Sequence, residues 1–138
     1  MEAVFFVCPP EAAHDVRSID DVPGEPAGEP LAVASPGALA GLVHALDGES
    51  RGALRQLRDA TCQSFPVWAF ARGLASALAS LDEREIDAVA ERWLATHARE
   101  LGDVDLYELS LCVAGLRDAL GASAEDTRLF VLLEEKAW

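Results

Sequence analysis

Two uninterrupted apolar runs stand near the ends of this chain, and amphipathic segments at helical spacing fill the interval. Residues 3–8 read Ala-Val-Phe-Phe-Val-Cys and are closed by Pro9-Pro10, which cannot continue a sheet ladder. Residues 129–133, Leu-Phe-Val-Leu-Leu, form the second run and stop at Glu134-Glu135-Lys136. A continuous apolar run with no alternation predicts a strand covered on both faces. Residues 31–34 predict a third, shorter strand.

Between the strands the period changes to that of a helix. Ser35-Pro36 predicts a helix start with a capping hydroxyl and proline in the first turn. Leu39, Leu42, Val43 and Leu46 follow at helical spacing, and Gly48 predicts the stop. Ser50 predicts the cap of a next helix with Leu54, Leu57 and Thr61 inward, and Arg51, Arg55 and Arg58 outward as the only basic cluster. A stripe of Val67, Phe70, Ala71, Leu74, Leu78 and Leu81 predicts a helix entered at Pro66. Asp82 with Glu85, and Asp105 with Glu108, have the spacing of capping boxes. The first box opens a helix burying Ile86, Val89, Ala90, Trp93, Leu94 and one side of His97, ending before Gly102. The second opens a helix with Leu106, Leu109, Val113, Leu116 and Leu120 inward and Gly121 beyond its end.

The expected fold is therefore α+β: one mainly helical domain over residues 1–138, with the N- and C-terminal strands paired in a small sheet. A lone strand leaves its backbone groups unsatisfied, so the terminal strands are expected to meet. Helices then form a second layer on that sheet. Residues 18–30 hold three prolines, two glycines and four acids, which predicts a long surface loop.

Charge narrows the classes of function. With 11 Lys and Arg against 24 Asp and Glu, the net charge is −13. Nucleic-acid affinity comes largely from cations that displace phosphate counterions, so no nucleic acid is expected as partner. An anionic membrane surface is disfavoured for the same reason. No run is long and apolar enough to span a membrane, and the acid at Glu2 sits where an export signal carries Lys or Arg. Cys8, Cys62 and Cys112 are odd in number and form no CxxC pair, the usage of reduced cytoplasmic thiols. The absence of Asn, the single Met and the excess of Arg over Lys are the composition of a GC-rich bacterial source.

The signatures of phosphate loops, dinucleotide folds, zinc proteases and nucleophile elbows are absent, so no catalytic residue, metal or cofactor is expected. Four side chains remain as a candidate pocket: His44 at the edge of one apolar stripe, Trp68 one position off another, His97 a turn after Trp93, and Tyr107. The plainer reading of each histidine is a core-edge residue bonded to backbone or water. A Cys8–His14 nucleophile pair is the remaining catalytic possibility, and it requires an accessible, electropositive thiol. Asp20, Asp21, Glu25 and Glu29 form a candidate acidic docking loop, whose plainer reading is a solvated linker.

Residues 41–48, Gly-Leu-Val-His-Ala-Leu-Asp-Gly, preceded by Ala38-Leu39, resemble the helix-and-glycine segment of the YfbM-like family of uncharacterised bacterial proteins. In that family a Trp-containing helix ends in a Leu-Leu-Thr-Gly stop. Here Leu39 stands where the family has Trp and Val43 where it has His. The downstream order is also similar: a helix like residues 67–81, a Leu-Asp-Glu-Arg-Glu turn into another, a long helix like residues 106–120, and a closing apolar strand. The resemblance implies a cytosolic α+β domain with its terminal strands in one sheet, and it implies no activity.

The leading expectation is a non-enzymatic binding or regulatory module acting through protein contacts with a basic partner, like immunity or inhibitor proteins of similar size and charge. The alternative is a small enzyme or ligand-binding protein with a pocket at His44, Trp68, His97 and Tyr107. A homodimer is the third reading.

Overall fold

The computed structural model describes residues 1–24, 26–28, 30–47, 54–58, 65–123 and 126–134. Its centre is a five-stranded antiparallel sheet in the order β2-β1-β5-β4-β3. The strands are β1 (Glu2–Cys8), β2 (Leu31–Ala32), β3 (Leu54–Arg58), β4 (Val67–Phe70) and β5 (Arg128–Glu134). The helices are α1 (Pro10–Ala13), α2 (Gly37–Ala45), α3 (Arg72–Ala79), α4 (Glu83–Leu101) and α5 (Leu106–Ala122), with a 3-10 turn at Ile19–Asp21. Among the described residues, no helix is long and apolar enough to cross a membrane.

The two terminal strands pair along their whole length, from Glu2 opposite Glu134 to Cys8 opposite Arg128. Their continuous apolar sequence has a direct cause, because both faces of the sheet are covered. Phe5, Leu129, Val131 and Leu133 join the main core beneath the helices. Val4, Phe6, Phe130 and Leu132 join a smaller core closed by Ala13, Val16, Ile19 and Val22. Phe6 stacks on Phe130 with ring centroids 5.5 Å apart. On the main face, α3 and α5 touch the sheet, while α4 packs on α5 and α2.

Two segments differ from the helices expected of them. Residues 54–58 are an edge strand and not the middle of a capped helix, and residues 67–70 are a strand before α3 begins. Val67 and Phe70 are buried in opposite cores, which a helix stripe cannot achieve. The backbone of Ala71 is extended (φ −60°, ψ 150°) and separates the strand from α3. Smaller differences concern helix ends. Leu106 is 38% exposed, not inward, and α5 runs through Gly121. No side chain caps α2; Ser35 contributes its backbone carbonyl to Ala38 N–H at 3.2 Å, and Asp47 turns the chain at φ 60°. The stop expected at Gly48 and the cap at Ser50 lie outside the described residues, as do Glu25, Glu29, Cys62 and Trp138.

The expected caps of α4 are present. Asp82 accepts the Glu85 N–H at 2.8 Å and Glu85 accepts the Asp82 N–H at 3.2 Å. At α5, Asp105 accepts from the Glu108 N–H at 2.9 Å. Replacing Asp82 by Ala is expected to lower stability by about 1 kcal/mol, measured by urea denaturation.

Two described residues of the 18–30 segment are pinned to the body. Ile19 N–H donates to Glu134 Oε2 at 2.9 Å, and Ala27 N–H donates to the Phe5 carbonyl at 2.8 Å. Ala27 is itself 5% exposed in the main core. Ala27 therefore lies on the outer side of β1 and occupies part of an edge that would otherwise offer unpaired backbone groups.

Candidate functional site

The contact between α2 and α4 brings two of the candidate residues together. Trp93 is fully buried and donates its indole N–H to the Ala38 carbonyl at 2.7 Å. Gly41 lets the helices approach, since a Cβ there would meet His97 Cγ at 2.6 Å and Trp93 Cδ1 at 2.7 Å. The helical backbone of α4 is interrupted at His97 (φ −133°, ψ 31°). His44 and His97 have ring centroids 6.4 Å apart.

Hydrogen bonding fixes the tautomer of His97. Thr96 Oγ1 donates to the Arg92 carbonyl at 2.8 Å, so its single proton is committed. The contact of His97 Nδ1 with Thr96 Oγ1 at 2.9 Å then requires Nδ1–H as donor. In the neutral ring the acceptor is Nε2. Among the described residues no three His, Cys, Asp or Glu side chains cluster to hold a metal.

Trp68 sits elsewhere. It lines an apolar cavity of about 430 Å³ with Leu39, Ala40 and Val43 of α2 and Leu54 of β3. None of His44, His97 and Tyr107 lines that cavity. Tyr107 stands on the outer face of α5 with 71% of its surface exposed. The structure thus joins His44 to His97 and leaves Trp68 and Tyr107 in two other places.

Cys8 is 2% exposed, and burial with the nearby Glu11 charge pushes its thiol up to about 11. A thiol that keeps its proton at neutral pH is a poor nucleophile, so its chemistry gives no support to the Cys8–His14 pair. Burial alone pushes Cys112 up to about 12. Both thiols lie above the ordinary 9.0 in the folded chain, so above that pH the folded chain binds more protons than the unfolded one. The stabilisation is complete below pH 9 and is lost as pH rises through 11 to 12. A tenfold difference in proton affinity between the two states corresponds to about 1.4 kcal/mol. Denaturation midpoints are therefore expected to fall as pH is raised from 9.0 to about 11, and Cys8→Ala with Cys112→Ala is expected to flatten the fall.

Of the acidic docking loop, Asp20 and Asp21 lie in the 3-10 turn, and both are exposed. Asp21 Oδ2 accepts the Arg17 N–H at 3.1 Å, so that carboxylate closes a local turn.

One surface was missed by the pattern of the sequence. Leu106, Tyr107 and Leu111 are 38%, 71% and 54% exposed, and all lie on the first half of α5. Tyr107 and Leu111 are four residues apart and share one face of the helix. Asp103, Asp105 and Glu108, within a few residues of them in sequence, are exposed too. Beside Leu111 opens a cavity of about 560 Å³, bounded by Glu108 and Cys112 on the helix, by Gly28 and Pro30 on the loop and by Leu31 of β2. The exposure of Leu111 breaks the apolar period of α5 and was the available signal. No family model, no curated protein and no solved structure matches this chain.

Proposed function

We propose that this protein is a non-enzymatic binding module that docks a basic protein segment on the first half of α5. The observation that carries the reading is the exposed Tyr107–Leu111 pair, with exposed Asp103, Asp105 and Glu108 within a few residues along the chain and an open cavity beside Leu111. Large apolar side chains exposed together, with a polar rim, have the anatomy of a protein contact. Tyrosine is favoured at the energetic centre of such contacts. The acids close by in sequence, in a chain of net charge −13, favour a partner rich in Lys and Arg and speed its approach at low salt. The proposal extends to a cytoplasmic setting and to kinship with the YfbM-like proteins, supported by the order of α4, α5 and the closing strand.

The test places a photo-crosslinking residue at position 107 and, as control, at the exposed Glu91 of α4. In lysate of the source cells at low salt, position 107 is expected to capture one basic protein that position 91 does not. High salt and Leu111→Ala should each abolish the capture. Equal capture at both positions, or capture indifferent to Leu111→Ala, would remove the reading. Capture of a second copy of this chain would replace the basic partner with a homodimer.

A further inference from the structure

On the opposite face of the sheet, the structure gathers positive charge in a protein that has little of it. A cavity of about 340 Å³ is lined by Arg55, Arg128 and His14, and among the described residues no carboxylate lines it. The chain carries 24 acids against 11 Lys and Arg, so a pocket whose described lining holds two arginines and no acid is the reverse of the chain's average composition.

Strand register explains how the pocket is built. Arg55 of β3 stands opposite Ala69 of β4, and Ala69 stands opposite Phe130 of β5. Arg128 lies two residues before Phe130 and so shares its face of the sheet. The two arginines therefore flank β4 from the strands on either side, separated laterally by about 10 Å. Between them β4 presents Ala69, with Ala71 beyond it, and these small side chains leave room above the floor. Phe130, 2% exposed, closes the floor with an aromatic surface.

Among the described residues neither arginine is paired with an acid, and both ion pairs belong to Arg117. Arg128 Nη1 donates to the Thr127 carbonyl at 3.0 Å, which steadies the guanidinium and leaves its other donors for a ligand. Arginine forks match the two oxygens of a carboxylate or phosphate. The volume is within the range of small-molecule sites.

We infer that this pocket binds a small organic anion, its carboxylate or phosphate held between Arg55 and Arg128 and its apolar body lying on Ala69 and Phe130. This site is independent of the α5 surface and stands or falls apart from it.

The experiment titrates the intact protein with phenylacetate, phenyl phosphate and the uncharged 2-phenylethanol, following the backbone amide resonances of β3, β4 and β5. At least one anion is expected to bind saturably at millimolar concentration, with shifts centred on Ala69 and Phe130. The stronger of the two identifies the head group, and 2-phenylethanol should not saturate. Arg55→Gln and Arg128→Gln should each weaken binding about tenfold or more, the scale of a lost charged hydrogen bond. Ala69→Leu should block binding while leaving the spectrum of the main core unchanged. Failure of both anions to saturate overturns the inference. Equal affinity in the Arg55→Gln, Arg128→Gln double variant, or shifts centred elsewhere, does the same.

Discussion

Trp93→Ala is expected to lower the unfolding free energy by about 3–5 kcal/mol, the largest single effect foreseen in this chain. The indole is fully buried at the junction of α2 and α4, and its N–H is bonded to the Ala38 carbonyl at 2.7 Å. Truncation removes the apolar contact, leaves a cavity, and deprives that carbonyl of a donor. Small domains hold only about 5–15 kcal/mol in reserve, so a large fraction of the stability would go. Trp93→Phe separates the contributions. It keeps most of the volume and loses the hydrogen bond, an expected loss of about 1–3 kcal/mol. Urea denaturation followed by circular dichroism measures both. The midpoint should fall in that order with little change in slope.

Gly41→Ala is the second large effect, and its sign is decided by two opposed magnitudes. Alanine in a helix interior is favoured over glycine by about 1 kcal/mol. Against this, the new Cβ would meet His97 Cγ at 2.6 Å, Trp93 Cδ1 at 2.7 Å and His97 Cβ at 2.8 Å. These atoms are not the far ends of flexible chains, and Trp93 is fully buried. Overpacking of this kind costs about 1–3 kcal/mol, or more when neither neighbour can move. The crowding is expected to win, giving a net destabilisation of about 1–2 kcal/mol. His97→Ala in the same chain should recover part of the loss, which a double-mutant cycle would show as coupling between the two positions. A neutral or stabilising Gly41→Ala would mean that α2 stands further from α4 than described.

The parts of the fold that were legible are those where one physical cause dominates the sequence. Residues 3–8 and 129–133 are apolar throughout because the strands they form are buried on both faces, and that forces their mutual pairing. Asp82 with Glu85 announces α4 because the reciprocal capping bonds need those two side chains at that spacing. The strands β3 and β4 were not legible for an equally definite reason. Leu54 and Leu57 are three apart among Arg and Gln, which suits a helix, yet Leu54 packs on the main core and Leu57 on the smaller one. Val67, Phe70 and Ala71 likewise imitate a helical stripe, whereas the β-branched and aromatic content of Val-Trp-Ala-Phe pointed to a strand.

The same misreading hid the pocket. On a helix, Arg55 belonged to a solvated row with Arg51 and Arg58. On β3 it faces Ala69, and through it Phe130 and Arg128, which lie more than seventy residues away in sequence. The His44–His97 pair is equally invisible to local pattern, because only the close approach at Gly41 brings the two rings together. Of the candidate pocket, the histidines meet, Trp68 belongs to a separate apolar cavity, and Tyr107 becomes the centre of the proposed docking surface.

Both surfaces hang on β5. As the middle strand it holds β1 and the loop beneath α5 on one side, and β4 with β3 and the arginine pocket on the other. Native-state hydrogen exchange tests that placement directly. The amides of residues 129–133 should exchange only through global unfolding, among the slowest in the chain. Exchange of those amides at the rate of a frayed terminus, well ahead of the amides of α5, would contradict it.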